Sequence, residues 1–158
     1  MVIICDTREQ RPFRFLQCAA DVTVKAGTLQ CGDYSLQGME NRVAIERKSL
    51  SDLLQSISRE RDRFLKELDR AKGLEAFAIV VEAYWDDIVH GNYRSNMTPA
   101  AASATVAAIM ARYKIPVFFA GSRDMAERFA VLFLRQYLRG KEHDADAVRQ
   151  ALAEHAKT

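Results

Sequence analysis

Long apolar runs, proline and paired cysteine spacings are all scarce in this chain, and each scarcity removes a class of protein. No apolar stretch approaches the ~18 residues that a membrane-spanning helix needs, and the start, MVIICDTREQ, lacks the charged and apolar regions of a secretion leader. Three prolines and seven glycines in 158 residues exclude collagen-like and proline-rich low-complexity architectures. Cys5, Cys18 and Cys31 form an odd set without Cys-x-x-Cys spacing, so neither a disulfide scaffold nor a zinc site is expected, and the thiols read as reduced in a cytoplasmic protein. Excess charge of one sign is missing too: 23 Lys and Arg face 21 Asp and Glu. A formal charge of +2 excludes a polybasic nucleic-acid arm, so any contact with DNA must be local.

What is present describes one ordered domain, with 49% hydrophobic and 28% charged residues. A chain of about 150 residues buries roughly two-thirds of its unfolded surface, enough for a core without staples. Val2 to Cys5 is wholly apolar and predicts a strand buried on both faces. Further strands are expected over Val22 to Lys25, Tyr34 to Leu36, Val43 to Lys48, Phe77 to Glu82 and Pro116 to Phe119. Helical periodicity begins at Ser49 and continues to Gly73, with a bend near Ser58. Thr98-Pro99 starts a helix reaching about Tyr113, and Gly121-Ser122 leads into a long helix through Leu138. The pattern is that of an α/β domain with a mixed central sheet and helices on its faces. Residues 1–140 form this domain and 141–158 a C-terminal helical extension, with 140–146 as a hinge and Asp144 as a cap.

The chemistry concentrates where a strand meets a helix, at Glu46-Arg47-Lys48-Ser49-Leu50-Ser51-Asp52. The pleat puts Ala44, Glu46 and Lys48 on one face and Val43, Ile45 and Arg47 on the other. Glu46 can then bind a divalent cation while Lys48 reaches a water beside it, the pairing that magnesium chemistry on phosphodiesters needs. A lone Glu-x-Lys is weak, and a solvated strand face is its ordinary explanation. Context raises its weight: the turn Gly32-Asp33-Tyr34 can bring a second carboxylate beside Glu46, and Asp6, Arg8 and Glu9 crowd the end of the first strand.

Asp6-Thr7-Arg8-Glu9, Gly32-Asp33-Tyr34 and Glu46-Arg47-Lys48-x-x-x-Asp52 together resemble the ordered motifs of the XPF family of structure-specific endonucleases, a branch of the PD-(D/E)XK nucleases. Arg63-Phe64, Glu67-Leu68 and the strand ending at Glu82 resemble downstream elements, so the likeness covers roughly residues 2 to 138. The sequence around Tyr93-Arg94-Ser95 is similar to stand-alone bacterial or prophage members. The resemblance implies a restriction-endonuclease-like fold and cleavage of branched, flapped or forked DNA with Mg²⁺ or Mn²⁺. Asp33 and Glu46 would be the principal metal ligands, joined by a backbone carbonyl near Arg47, and Lys48 would position the attacking water. Asp6 and Glu9 would hold a second cation or order Arg8. Arg8 and Arg47 would clamp the scissile phosphate, and Asp52 would pair with Arg47 or Lys48 or serve as charge at the helix start. Two alternatives stay open: a PD-(D/E)XK nuclease of other specificity, such as a Holliday-junction resolvase, and a non-catalytic DNA-binding or dimerisation scaffold.

Many relatives carry a helicase region or a tandem helix-hairpin-helix module, and neither is found in this sequence. No Gly-x-x-x-x-Gly-Lys-[Ser/Thr] loop exists, so ATPase activity is not expected. Substrate selection would then fall to the domain's own surface, a dimer partner, or a helicase or DNA-binding protein acting with it in the cytoplasm at the nucleoid. Arg59 and Arg63 are candidate phosphate contacts, although six cations against four acids over Arg59 to Lys72 also describe an exposed helix laced with ion pairs. His90, Asn92, Tyr93, Arg94 and Ser95 make a polar loop whose aromatic could meet a single strand or the branch point, although a plain surface loop is its ordinary explanation. Seven alanines between Thr98 and Arg112 and the apolar run Phe129 to Leu134 point to core packing or to a homodimer interface, which the resemblance also implies.

Overall fold

The computed structural model describes residues 1–16 and 21–155, which leaves Cys18 outside the described residues. Six strands form one mixed sheet, with helices packed on both faces. In chain order the elements are β1 (Val2–Asp6), β2 (Thr23–Gly27), β3 (Tyr34–Leu36), β4 (Val43–Ser49), α1 (Leu50–Ile57), α2 (Arg61–Ala71), β5 (Ala76–Glu82), α3 (Trp85–His90), α4 (Pro99–Ala108), β6 (Val117–Phe119) and α5 (Arg123–His155). The spatial order is β2-β1-β3-β4-β5-β6. β1 runs parallel to β2 and antiparallel to β3; β3 is antiparallel to β4, and β4, β5 and β6 are parallel. Ser49 therefore lies opposite Glu82, and both parallel strands end at the same rim of the sheet.

Strand alternation divides the core in two. Ala44, Phe77, Ile79 and Val81 face one cluster with Leu53 and Leu54 of α1, Phe64 and Leu68 of α2, Ile88 of α3, and Ala102 and Val106 of α4. Val43, Ile45 and Val80 face the other, against Ala126, Ala130, Val131 and Leu134 of α5 and the ring group Phe13, Phe15 and Tyr34. Phe13 stacks on Tyr34 at 4.8 Å, and the Tyr34 hydroxyl accepts the Phe13 backbone N–H at 2.8 Å. Buried Glu127 accepts the backbone N–H groups of Arg14 and Phe15, which pins this segment although Phe15 has a φ of 54°.

Three local features depart from the sequence expectation. The bend near Ser58 is a full break: Ser58 caps α1 by donating its hydroxyl to Leu54 O, and α2 restarts at Arg61. Residues 85–90 form a short helix, whose first turn is held by the Tyr84 N–H donating to Asp87 Oδ2 at 3.0 Å and whose end is Gly91 in the left-handed region. The hinge over 140–146 is absent, because α5 runs unbroken through Gly140 and Asp144. Gly in a helix interior costs only about 1 kcal/mol relative to Ala, too little to stop a helix anchored on both sides, here by burial of Leu134 and by the ion pair of Lys141 with Glu75. α4 continues to Tyr113 as a π-helical turn, within the expected span. Among the described residues no helix is long and apolar enough to cross a membrane.

Candidate active site

Glu46 and Lys48 leave β4 on the same face, and the Lys48 ammonium donates to Glu46 Oε1 at 2.8 Å. Both are buried, at 8% exposure each, and the Lys48 Nζ stands 5.0 Å above the Phe64 ring. Asp33 reaches the same place from the turn before β3. That turn needs glycine at position 32: its φ is +77°, and a Cβ there would meet Ile45 O at 2.9 Å. The Asp33 N–H donates to Ile45 O at 2.7 Å, and Asp33 Oδ2 accepts the Arg47 N–H at 2.7 Å, so the carboxylate is strapped across β4 beside Glu46.

These groups share a polar cavity of about 280 Å³, to which Arg8, Arg63, Glu67 and Arg70 also contribute. Burial pushes the Asp33 carboxyl up to about 7, although the Arg47 N–H favours its charged form; the carboxylate of Glu9 adds to the rise. Glu46 lies well above the ordinary carboxylate range, first from burial and then from neighbouring Asp33. Burial lowers Lys48, but the Glu46 carboxylate outweighs it and the ammonium ends above its usual value. Two carboxylates thus resist ionising together while one ammonium stays charged, which is the electrostatic setting of a cation site.

The remaining expected residues separate into three groups. Asp6 is buried and lines the cavity, yet Arg8 N–H, Arg8 Nε, Arg8 Nη2 and Leu29 N–H all donate to its two oxygens. The Arg8 side chain is the first cause that holds Asp6 down to about 2. Arg8 itself faces the cavity, as does Arg63, which also pairs with Glu60 at 3.2 Å. Arg59 and Arg94 line a neighbouring groove instead.

Arg47 and Glu9 lie apart from the cavity. Arg47 projects to the opposite sheet face, 7% exposed, where it donates to both Glu82 oxygens at 2.7 and 2.9 Å and to Glu9 at 3.5 Å. The strand pleat that joins Glu46 to Lys48 is what sends Arg47 away, so it does not stand where the expected phosphate clamp would. Glu9 also accepts the Arg11 N–H at 2.6 Å. Asp52 pairs with neither Arg47 nor Lys48; it accepts from Ser49 Oγ at 2.6 Å, while Ser49 Oγ accepts the Asp52 N–H, a cap of the α1 N-terminus. Tyr93 is tied down by its hydroxyl donating to Met97 O and packs against the core, so its ring is not offered to a base. Among the described residues no three His, Cys, Asp or Glu side chains converge as a ready-made ligand cluster.

Sequence reasoning gave no role to Gln30, Ser56, Glu60, Glu67 or Arg70, all of which line the cavity. A partial signal existed. Glu60, Arg63, Glu67 and Arg70 recur at three- and four-residue spacing, so they share one flank of α2 next to buried Phe64. That this flank docks over β4 follows only from the packing of Phe64 and Leu68 on the sheet.

A mixed α/β sheet with a carboxylate–lysine pocket beside the ends of its parallel strands defines the class: this is the fold of XPF nuclease domains. The ERCC4 domain model matches residues 5–133, and the chain belongs to the ERCC4 domain family. Its structure is similar to that of XPF from Aeropyrum pernix in complex with DNA, with a TM-score of 0.64 and 24% identity over 90% of this chain and 66% of that one. It is equally similar to another structure of XPF from Aeropyrum pernix, with a TM-score of 0.64 and 22% identity over 89% of this chain and 68% of that one. The chain thus spans about two thirds of the length of these structures. No curated protein matches its sequence.

Proposed function

We propose that this domain is a divalent-metal-dependent endonuclease that hydrolyses phosphodiester bonds in branched, flapped or forked DNA, acting in the cytoplasm at the nucleoid. The observation that carries the reading is the convergence of Asp33, Glu46 and Lys48 in one polar cavity rimmed by Arg8, Arg63 and Arg70. A solvated strand face would leave these groups exposed; here Glu46 and Lys48 are buried and paired.

The donor set fits Mg²⁺ or Mn²⁺, since both are hard cations that take oxygen ligands, and Asp33 and Glu46 are carboxylates of one cavity, of which Asp33 raises the proton affinity of buried Glu46. Asp33 and Glu46 would hold the ion, with the backbone carbonyl near Arg47 completing the protein's share. When bound, such an ion acidifies water and offsets phosphate charge. Lys48, held by Glu46 and by the Phe64 ring, presents an ammonium that orients the attacking water and stabilises the charge that develops on the phosphate. Arg8, fixed by three hydrogen bonds to Asp6 and one to Leu29 O, offers its outer guanidinium surface to a phosphate oxygen, and Arg63 and Arg70 flank the opposite wall. Asp6, with its oxygens occupied, orders Arg8.

Pairing of two copies as a homodimer is part of the proposal. It is supported by apolar surface on one side of the sheet: Phe118 is 41% exposed and stacked at 4.0 Å on Phe129, and Leu132 is 54% exposed. An isologous contact through this face would cover both patches. Sedimentation should give a dimer at micromolar concentration, and Leu132→Glu should shift it to monomer.

The test of activity is cleavage of labelled fork, flap, Holliday-junction and linear duplex substrates with Mg²⁺ or Mn²⁺. Asp33→Ala should lower the rate by at least ~10²-fold. Should wild type and Asp33→Ala prove equally inert on every substrate while both bind DNA, the nuclease reading fails and a non-catalytic scaffold replaces it.

A further inference from the structure

A cavity larger than the catalytic pocket lies beside it. It is a groove of about 760 Å³ between α1 and the loop at 94–97, and its walls carry Ser51, Gln55, Ser58 and Arg59 on one side and Arg94 and Asn96 on the other. Successive helical residues turn by ~100°, so α1 shows Ser51, Gln55 and Ser58 to this groove while Ser56 looks into the catalytic pocket. One helix, ~10–12 Å across with its side chains, stands between the polar catalytic pocket and this groove, whose lining also includes Leu54 and Met97. Its first residue follows Lys48 by two positions.

The groove's cations are unengaged. Arg59 and Arg94 are exposed and form no side-chain hydrogen bond or ion pair within the described residues, whereas Arg8, Arg47, Arg63 and Arg123 are all paired. The loop that carries Arg94 is built in advance of any ligand: Tyr93 Oη donates to Met97 O at 3.1 Å and the Met97 N–H donates to Ser95 Oγ at 3.2 Å. No aromatic ring lines the groove, so it has no platform for stacking bases. Guanidinium, hydroxyl and amide donors without rings recognise a phosphodiester backbone rather than its sequence.

We infer that this groove binds the backbone of a second, uncleaved DNA strand, with α1 as the divider that holds it apart from the strand entering the catalytic pocket. The inference rests on the endonuclease reading for the identity of the ligand and adds the reason why branched DNA is favoured: a branch supplies two separated strands, one for each side of α1. The competing source of the same chemistry is the opposite strand of a continuous duplex.

Fluorescence anisotropy without divalent cations, on a labelled fork and on a linear duplex of equal length, separates the two. The double variant Arg59→Ala/Arg94→Ala should bind the fork at least ~10-fold more weakly, change duplex affinity by less than ~2-fold, and lower the slope of log affinity against log salt on the fork by about 1.4, the value for two lost single-strand phosphate contacts. Thermal unfolding should be unchanged, since both side chains are exposed. As a second readout, Asn96→Cys carrying a photo-crosslinker should label the uncleaved arm. Equal weakening on fork and duplex, no weakening at all, or crosslinks confined to the cleaved strand overturns the inference. Wild type that binds forks through this groove but cleaves nothing would sink the nuclease reading and leave the groove standing.

Discussion

The two faces of β4 carry neighbouring residues into opposite circumstances. Glu46 and Lys48 meet Asp33 in a cavity that Asp6, Arg8, Glu60, Arg63, Glu67 and Arg70 also line. Arg47, between them in sequence, is locked on the other face by Glu82 and Glu9, while Arg123 joins Glu82 at 3.1 Å and donates to the carbonyls of Arg11 and Pro12. That network ties β4, β5, the start of α5 and the segment after β1 together at the rim where the site forms. One face gathers carboxylates of raised proton affinity around a cavity; the other holds paired charges that fix the frame.

The contrast can be broken from either side. The largest change in stability should come from Arg47→Met. Removing one partner of a buried ion pair costs about 3–5 kcal/mol, and Arg123 remains beside Glu82, so about 3 kcal/mol is expected in denaturant unfolding. A loss under about 1 kcal/mol would mean that the network is not structural. On the open face, Glu46→Gln should lower the rate on forked DNA by at least ~10²-fold and should also lower the melting temperature, because it leaves the buried Lys48 ammonium without its carboxylate partner. Unchanged cleavage would remove Glu46 from the proposed metal set.

Asp6 lies between these extremes, buried like Arg47 but lining the cavity. Its folded value of about 2 lies below the ordinary 3.8, so the charged form is favoured in the folded state. It contributes stability of about 2 kcal/mol that is present above pH ~4 and lost as pH falls towards ~2. Acid titration of unfolding should show this loss in wild type and a flatter profile in Asp6→Asn. The smallest effect belongs to Arg123→Ala, about 1 kcal/mol, since its side chain is partly exposed and surface pairs contribute little.

Much of this was legible before any coordinates. The period of two along 43–48 assigned Glu46 and Lys48 to one face and Arg47 to the other, and the two core clusters agree with it. The glycine before Asp33 marked a turn, which its positive φ bears out. Other parts had no local signal. Glu82 meets Arg47 from 35 positions away, and Arg123 meets Glu82 from 41, so Arg47's destination depended on the parallel register of β4 with β5. Tyr93 looked like a free aromatic because nothing in its neighbourhood announces that Met97 O will take its hydroxyl. Gly140 looked like a hinge because local propensity is a small term beside the anchoring of a long helix.

By itself the sequence determined the element types, the face on which each β4 side chain stands, and a set of acids and a lysine suited to metal-assisted phosphodiester chemistry. These are short-range consequences of pleat, helical repeat and turn chemistry, all written within a few residues. Only the tertiary structure decided which face became a pocket, that α2 brings Glu67 and Arg70 to its wall, and that Arg59 and Arg94 share a groove across α1. Those outcomes depend on how apolar faces dock at long sequence separation, which no local pattern encodes.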